Sequence, residues 1–409
     1  MALENVLLHK NKISSLTIHH HFDPVPLLHR IFMDSKPSVD QVYIYINEQR
    51  GEESAEREVW QDLTSLRELF VYRYSIPIDH LVAPNLVHLA LEEGGYNPRL
   101  KSTLDMLRGC PLLETLLIVH LSDYSDRTRG HSPICLPHLR AIELGASEVN
   151  SGLITHLQFP PNIAVGFRGL GAHAICGEIA PSVMATMQHV LRRVDIRCIT
   201  LTASPFLRQL YLVRFEGPGG SLEITILCEG GDAQLRGISF GERGVLFSHS
   251  PRIESVRELH IIGLSFDDNR RLDHISTAMP NLISISFFHC FGLHVFGSLL
   301  TPTDPSSPPF SRLECIMVLG QDSGLMEMAK ARRNSLVPLK TIVIGRGLEE
   351  FEYKHLEDYS ALEELVEDLR IGCPTEIVEW GTENEILNIL STSKTPGPVR
   401  PNWNLMVLG

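Results

Sequence analysis

An α/β solenoid of short strand–helix repeats is the fold that the sequence predicts, and three observations carry that expectation. An apolar triplet with L-x-x-L-x-L spacing returns along the 409-residue chain, most plainly in PNLVHLALEEGG (84–95) with Leu86, Leu89 and Leu91. First positions of the triplet lie 26 residues apart four times (13 to 39, 113 to 139, 256 to 282, 313 to 339) and 27 apart twice (39 to 66, 86 to 113). Proline stands two residues ahead of the first position at Pro84, Pro111, Pro137, Pro205 and Pro280. A fixed period of this size is the mark of a repeat architecture.

The copies justify the elements in turn. Clear ones are Leu66/Leu69/Val71, Leu113/Leu116/Ile118, Leu139/Ile142/Leu144, Leu207/Leu210/Leu212 and Val256/Leu259/Ile261. Leu282/Ile285/Phe287, Leu313/Ile316/Val318 and Leu339/Ile342/Ile344 complete the set, and weaker copies stand at Ile13/Leu16/Ile18 and Val39/Val42/Ile44. The prolines stop a preceding helix and turn the chain into a strand. Amphipathic stretches at 54–63, 100–109, 269–279 and 323–335 supply helices between strands. Side chains alternate along a strand, so the fourth and sixth positions point inward and the third, fifth and seventh outward. One such unit cannot bury its apolar side alone, whereas a stack builds a continuous core beneath a parallel sheet.

The expected architecture is therefore a curved leucine-rich-repeat solenoid with the sheet on the concave face and helices on the convex face. It spans 1–380, regular over 63–145 and 256–345 and irregular over 157–255. An acidic helical cap follows at 349–370, and a C-terminal helix and proline-rich tail occupy 381–409. TPTDPSSPPF (301–310) reads as a loop between repeats, and EGPGGS (216–221) as a turn.

Composition narrows the function classes. The formal net charge of −13 disfavours sequence-independent binding to nucleic acid or an anionic membrane surface. The stretch 281–300 is long enough to span a membrane and carries no Asp, Glu, Lys or Arg. It opens with a repeat copy and contains His289 and His294, so it reads as a strand leading into a helix. The eight cysteines include no C-x-x-C pair, which suits thiols in a reducing compartment. The start MALENVLLHKNKISS lacks a secretory pattern. An intracellular protein, cytoplasmic or nuclear and monomeric, is expected.

Motifs for chemistry are few. G-x-S-x-G, H-E-x-x-H and the phosphate-loop pattern do not occur. In TIHHHFDP (17–24), His19 and His21 share a strand face near Asp23, but no further His or Cys is placed by sequence to complete a zinc site. The stretch reads as solvated surface. GRGLEE (345–350) enters a helix, but its glutamates oppose anion binding and satisfy the helix dipole. The expectation is a non-enzyme without metal or cofactor. An enzyme with a site in 157–255 is one alternative, and a signalling or structural scaffold is another.

The outward fifth and seventh positions are the candidate partner-binding residues: Phe70 and Tyr72, Ala90 and Glu92, Leu117 and Val119. Further along they are Tyr211 and Val213, His260 and Ile262, and Met317 and Leu319. Many are apolar or aromatic, the composition of a protein-binding patch.

LTSLRELFVYR, APNLVHLALEEGG, LRGCPLLETLLI and LPHLRAIELGAS resemble the repeats of F-box proteins of mushroom-forming fungi, over about residues 10–380. That resemblance implies a substrate-recognition subunit of a cullin ubiquitin ligase, with a protein on the concave face and the cullin adaptor docked through an N-terminal F-box. Here the nearest F-box candidate is DPVPLLHRIF (23–32). The strand-like repeat copy VDQVYIYI (39–46) follows it at once and leaves no room for the other F-box helices.

Overall fold

The computed structural model describes residues 14–20, 39–46, 63–72, 81–92, 99–119, 132–145, 148–160, 162–171, 189–191, 194–203, 210–227, 253–263, 279–288, 290, 310–319, 324–345 and 356–372. They form an α/β protein with a large, mostly parallel sheet and few helices. The chain divides into two compact units, the first carrying the described residues through Gly169 and the second Leu170, Gly171 and those from Gln188 onward.

In the first unit, strands β1 (Ser15–His20), β2 (Gln41–Ile46), β3 (Glu68–Tyr72), β4 (His88–Glu92) and β5 (Thr115–Ile118) run parallel in chain order. A two-residue strand β6 (Ile134–Cys135) pairs outside this sheet with β8 (Leu157–Gln158). The main sheet continues through β7 (Ala141–Gly145) to β9 (Ile163–Gly171). Helix α1 (Leu100–Arg108) fills the connection from β4 to β5, as the sequence predicts, and α2 (Glu148–Thr155) lies between β7 and β8.

The pairing register matches the period. Leu16, Val42, Leu69, Leu89, Leu116, Ile142 and Val165 lie side by side across seven strands, and Ile18, Ile44, Val71, Leu91, Ile118, Leu144 and Phe167 form the next row. These are the fourth and sixth positions, and all are buried. Each such Leu or Ile contributes about 1.5–3 kcal/mol. First-position leucines Leu66, Leu86, Leu113 and Leu139 are at most 1% exposed. The N–H of each donates to the carbonyl three residues earlier, closing the turn into the strand.

The turns are also cross-linked. Asp40 O accepts from Arg67 N and Glu68 N, Arg67 O from Val87 N and His88 N, and Val87 O from Glu114 N and Thr115 N. The second-position carbonyl of one repeat thus receives the second and third N–H groups of the next. The same pattern joins Arg257 O, Ile283 O and Glu314 O to their followers in the second unit.

The second unit opens differently. Strand β10 (Cys198–Ala203) is followed by an antiparallel hairpin, β11 (Leu210–Gly217) and β12 (Gly220–Leu227). On its other edge β10 pairs in parallel with β13 (Glu258–Ile262). Then β14 (Ser284–Phe288), β15 (Cys315–Leu319), β16 (Thr341–Gly345) and β17 (Asp368–Gly372) follow in parallel. Helix α3 (Leu325–Asn334) lies before β16, within the predicted 323–335, and α4 (Leu356–Glu363) before β17. No helix among the described residues is long and apolar enough to cross a membrane.

Two sequence expectations need correction. Leu207/Leu210/Leu212 is not a parallel repeat copy. Residues 210–217 are the first arm of the hairpin, and EGPGGS is its turn, with Gly217 opposite Gly220. The true copy is Ile196/Ile199/Leu201, whose members are all buried and which leads into β10. The acidic helix expected over 349–370 is helical at 356–363, and 366–371 holds another copy, Val366/Leu369/Ile371, in register with β16. Leu362, Leu365, Val366 and Leu369 also fall at helical spacing, so the sequence pattern satisfied a helix as well as a strand. The F-box candidate at 23–32, the loop at 301–309 and the tail from 373 lie outside the described residues.

Burial sorts the thiols. Cys110 and Cys290 are buried and Cys135 is exposed. Burial pushes the Cys110 thiol up to about 12, so its nucleophilic thiolate is scarce at neutral pH. Under native alkylation with peptide mass spectrometry, Cys135 should label and Cys110 and Cys290 should not until denaturant is added.

Candidate functional site

Alternation places the third, fifth and seventh positions of the parallel strands on one sheet face. In the first unit that face carries an aromatic ladder. Tyr43 and Tyr45 of β2 meet Phe70 of β3 at ring-centroid distances of 6.5 and 5.1 Å, and Tyr45 meets Tyr72 at 6.5 Å. Glu68 Oε1 accepts from Gln41 Nε2 at 3.0 Å, and Glu68 Oε2 accepts from the Tyr43 hydroxyl. Burial, then Glu68, raises the Tyr43 phenol above its ordinary value. Burial and then the charge of Glu92 push Tyr45 up to about 12. Both rings therefore stay neutral donors at physiological pH.

Accessibility along this face is uneven. Phe70, Ala90, Glu92 and Leu117 are buried, while Tyr72 and Val119 are half-buried. Strands about 4.8 Å apart stack same-face side chains against one another, which shields those in the middle of the ladder. In the second unit, the seventh-position side chains Ile262, Phe288 and Leu319 form a buried cluster with Met317 half-buried against it. Expected outward, these seventh positions bury one another.

Val213 sits on the opposite face from the one its sequence position predicted. It pairs with Leu201 and Phe215 pairs with Ile199, so both face the core, and Arg214 and Glu216 take the outward face. A one-residue shift of register flips every side chain. The side chain of Tyr211 lies outside the described residues, as do those of His19, His21 and Asp23.

The flip assembles a polar band that the linear sequence does not display. One row across the strands reads Glu216, Cys198, Glu258, Ser284, Cys315, Thr341 and Asp368. The next reads Glu223, Arg214, Thr200, His260, Ser286 and Met317. Arg214 is buried and its Nε lies 3.2 Å from Glu216 Oε1 and 4.0 Å from Glu223 Oε2. His260 Nε2 lies 3.7 Å from Glu258 Oε2, and Cys198, Glu258 and His260 each bring a donor atom within 4.8 Å of the others. Burial opposes charge on the His260 imidazole, but Cys198 and Glu258 outweigh it and raise the group above its ordinary value. Contact with His260 in turn lowers the Glu258 carboxyl.

In the first unit, His88 Nδ1 and Thr115 Oγ1 are 2.8 Å apart. Burial lowers the His88 imidazole, with Glu68 and Glu114 opposing. Below the ordinary histidine value of about 6.5 the unfolded chain takes up this proton more readily than the folded one. Its contribution to stability is therefore whole above that pH and is lost as pH falls through the lowered folded value. Chemical unfolding at pH 7 and 5 should show a larger acid loss for the wild type than for His88→Gln.

No family model matches the chain, and no curated protein matches it.

Proposed function

We propose that the chain is a non-catalytic protein-recognition module, a leucine-rich-repeat solenoid whose sheet face receives a protein partner. One observation carries this reading: the repeats pair in a common register, so each delivers its third, fifth and seventh side chains to the same face. Contact residues distant in sequence thereby become neighbours. In the aromatic ladder the half-buried Tyr43 and Tyr72 offer ring surface of the kind that anchors interfaces, while Tyr45 and Phe70 are buried between them and their neighbours. The half-buried Glu68 beside the rings favours a partner segment that combines apolar with basic side chains.

The resemblance to repeats of fungal F-box receptors supports placing this module among intracellular substrate-recognition subunits, acting as a monomer. On that reading the cullin adaptor is a second partner. The experiment is affinity capture with the tagged full chain from its source cells, followed by mass spectrometry. A genuine partner of the ladder is retained by Lys101→Ala/Lys330→Ala, on exposed helix surfaces, and reduced at least tenfold by Tyr43→Ala/Tyr72→Ala. Near-stoichiometric cullin adaptor supports the ligase role. Its absence beside a ladder-dependent partner leaves a stand-alone recognition scaffold. Capture indifferent to the ladder variant overturns the reading.

A further inference from the structure

The geometry points to a metal site for a borderline-soft divalent cation, Zn²⁺ by donor chemistry, formed by Cys198, Glu258 and His260 in the second unit. Cys198 of β10 and Glu258 of β13 are direct partners in a parallel ladder, and His260 follows Glu258 by two residues on the same face. The backbone thus presents one sulfur, one oxygen and one nitrogen donor from two rigid strands. Their ligand atoms all lie within 4.8 Å of one another.

The spacing fits a metal better than a hydrogen bond. His260 Nε2 and Glu258 Oε2 are 3.7 Å apart, beyond hydrogen-bond reach. Zinc–ligand lengths of about 2.0–2.3 Å in tetrahedral geometry separate neighbouring donors by about 3.4–3.6 Å. That edge needs to contract by a few tenths of an ångström to share one ion, and the edges to the Cys198 sulfur, within 4.8 Å, by up to roughly 1.2 Å.

A second observation concerns the imidazole itself. His260 Nδ1 is buried and has no hydrogen-bond partner among the described residues. The other ring nitrogen, Nε2, lies 3.7 Å from Glu258 Oε2, longer than a hydrogen bond. A cation held by the three residues takes one ring nitrogen of His260 as its ligand, and no hydrogen bond among the described residues has to be broken for Nδ1 to serve. A thiolate, an imidazole and a carboxylate suit zinc rather than magnesium or calcium, whose sites are built from oxygen donors. Three protein ligands leave at least one coordination position for water or for a ligand from outside the chain. Glu258 is exposed and Cys198 and His260 are partly so, which gives the ion a way in.

The test uses the full chain, reduced and stripped with chelator, titrated with Co²⁺ as a spectroscopic stand-in and then with Zn²⁺. Expected are visible ligand-field bands and a near-ultraviolet sulfur-to-cobalt charge-transfer band, saturating at one equivalent and erased by Zn²⁺. Cys198→Ser should abolish the charge-transfer band, while Cys135→Ser, at an exposed thiol outside the cluster, should leave it unchanged. His260→Gln and Glu258→Gln, which keep the thiol, should each weaken Co²⁺ binding at least tenfold. The same variants, checked by circular dichroism for native melting, should lose the Zn²⁺-induced rise in Tm. No charge-transfer band in the wild type, or a band that survives Cys198→Ser, overturns the assignment. If Cys198→Ser does not fold, unchanged Co²⁺ affinity in His260→Gln and Glu258→Gln does so equally.

Discussion

Arg332→Ala should destabilise the second unit by about 3–5 kcal/mol, the largest effect expected of any single substitution outside the leucine rows. Arg332 on α3 is completely buried. Its Nη2 donates to Phe310 O at 3.0 Å and to Leu313 O at 3.4 Å. Those carbonyls bracket the turn into β15, where Phe310 has a left-handed φ of 49°. Burial lowers the guanidinium to about 10, so the side chain stays charged and its hydrogen bonds remain charge-assisted. Truncation removes the charged donor to Leu313 O, leaves Phe310 O with the Leu313 N–H at 2.9 Å, and opens a cavity; the lost hydrogen bonding and the cavity each cost about 1–3 kcal/mol. Urea unfolding separates the two contributions. Arg332→Met refills most of the volume without a donor and should recover only the packing part, whereas Arg332→Lys should recover part of the hydrogen bonding. If Arg332→Met is as stable as wild type, the polar clamp contributes nothing.

Gly217→Ala is the second. A Cβ there would lie 2.3 Å from both Asp195 O and Val194 O. These are backbone atoms in the turn that leads into β10, which is held by Arg197 N donating to Glu216 O at 2.7 Å and Gly219 N to Val194 O at 3.1 Å. Asp195 already sits at a left-handed φ of 51°. Neither backbone can yield cheaply, so the hairpin must shift at a cost of about 2–3 kcal/mol. Gly109→Ala is the control, since its Cβ would meet one carbonyl, Met106 O, at 3.2 Å. It should change stability by less than about 1 kcal/mol. Thermal melts of the two variants should differ clearly. Because Glu216 pairs with Cys198, displacement of the hairpin should also perturb the polar band.

Leu86, Leu89 and Leu91 illustrate how much of the fold was legible. Their spacing, recurring at 26 and 27 residues, already implied parallel strands sharing one register, and the pairing of Leu89 with Leu69 and Leu116 obeys it. Ile196/Ile199/Leu201 was legible by the same rule but stands 11 residues before the competing triplet at Leu207. Hairpin strands carry the same apolar alternation as repeat strands, so the pattern by itself does not set strand direction.

The site was far less legible. Cys198 lies 60 residues from Glu258, and no local motif joins them. They meet because the chain inserts a hairpin and then returns β13 to the free edge of β10. In the parallel strands the third, fifth and seventh positions share one face, as the period implies, but their exposure was not legible. Whether Phe70 or Leu117 reaches solvent depends on what stands beside it across the sheet.

By itself, then, the sequence determined the parallel strands of its regular copies, their inward residues and their common register. Those follow from a local period and from the need to bury apolar surface. Only the tertiary structure decided the direction of β11, the reversed faces of Val213 and Arg214, and the meeting of Cys198, Glu258 and His260. Each of these depends on which strand lies alongside which, and pairing across a sheet is a long-range contact that no local spacing encodes.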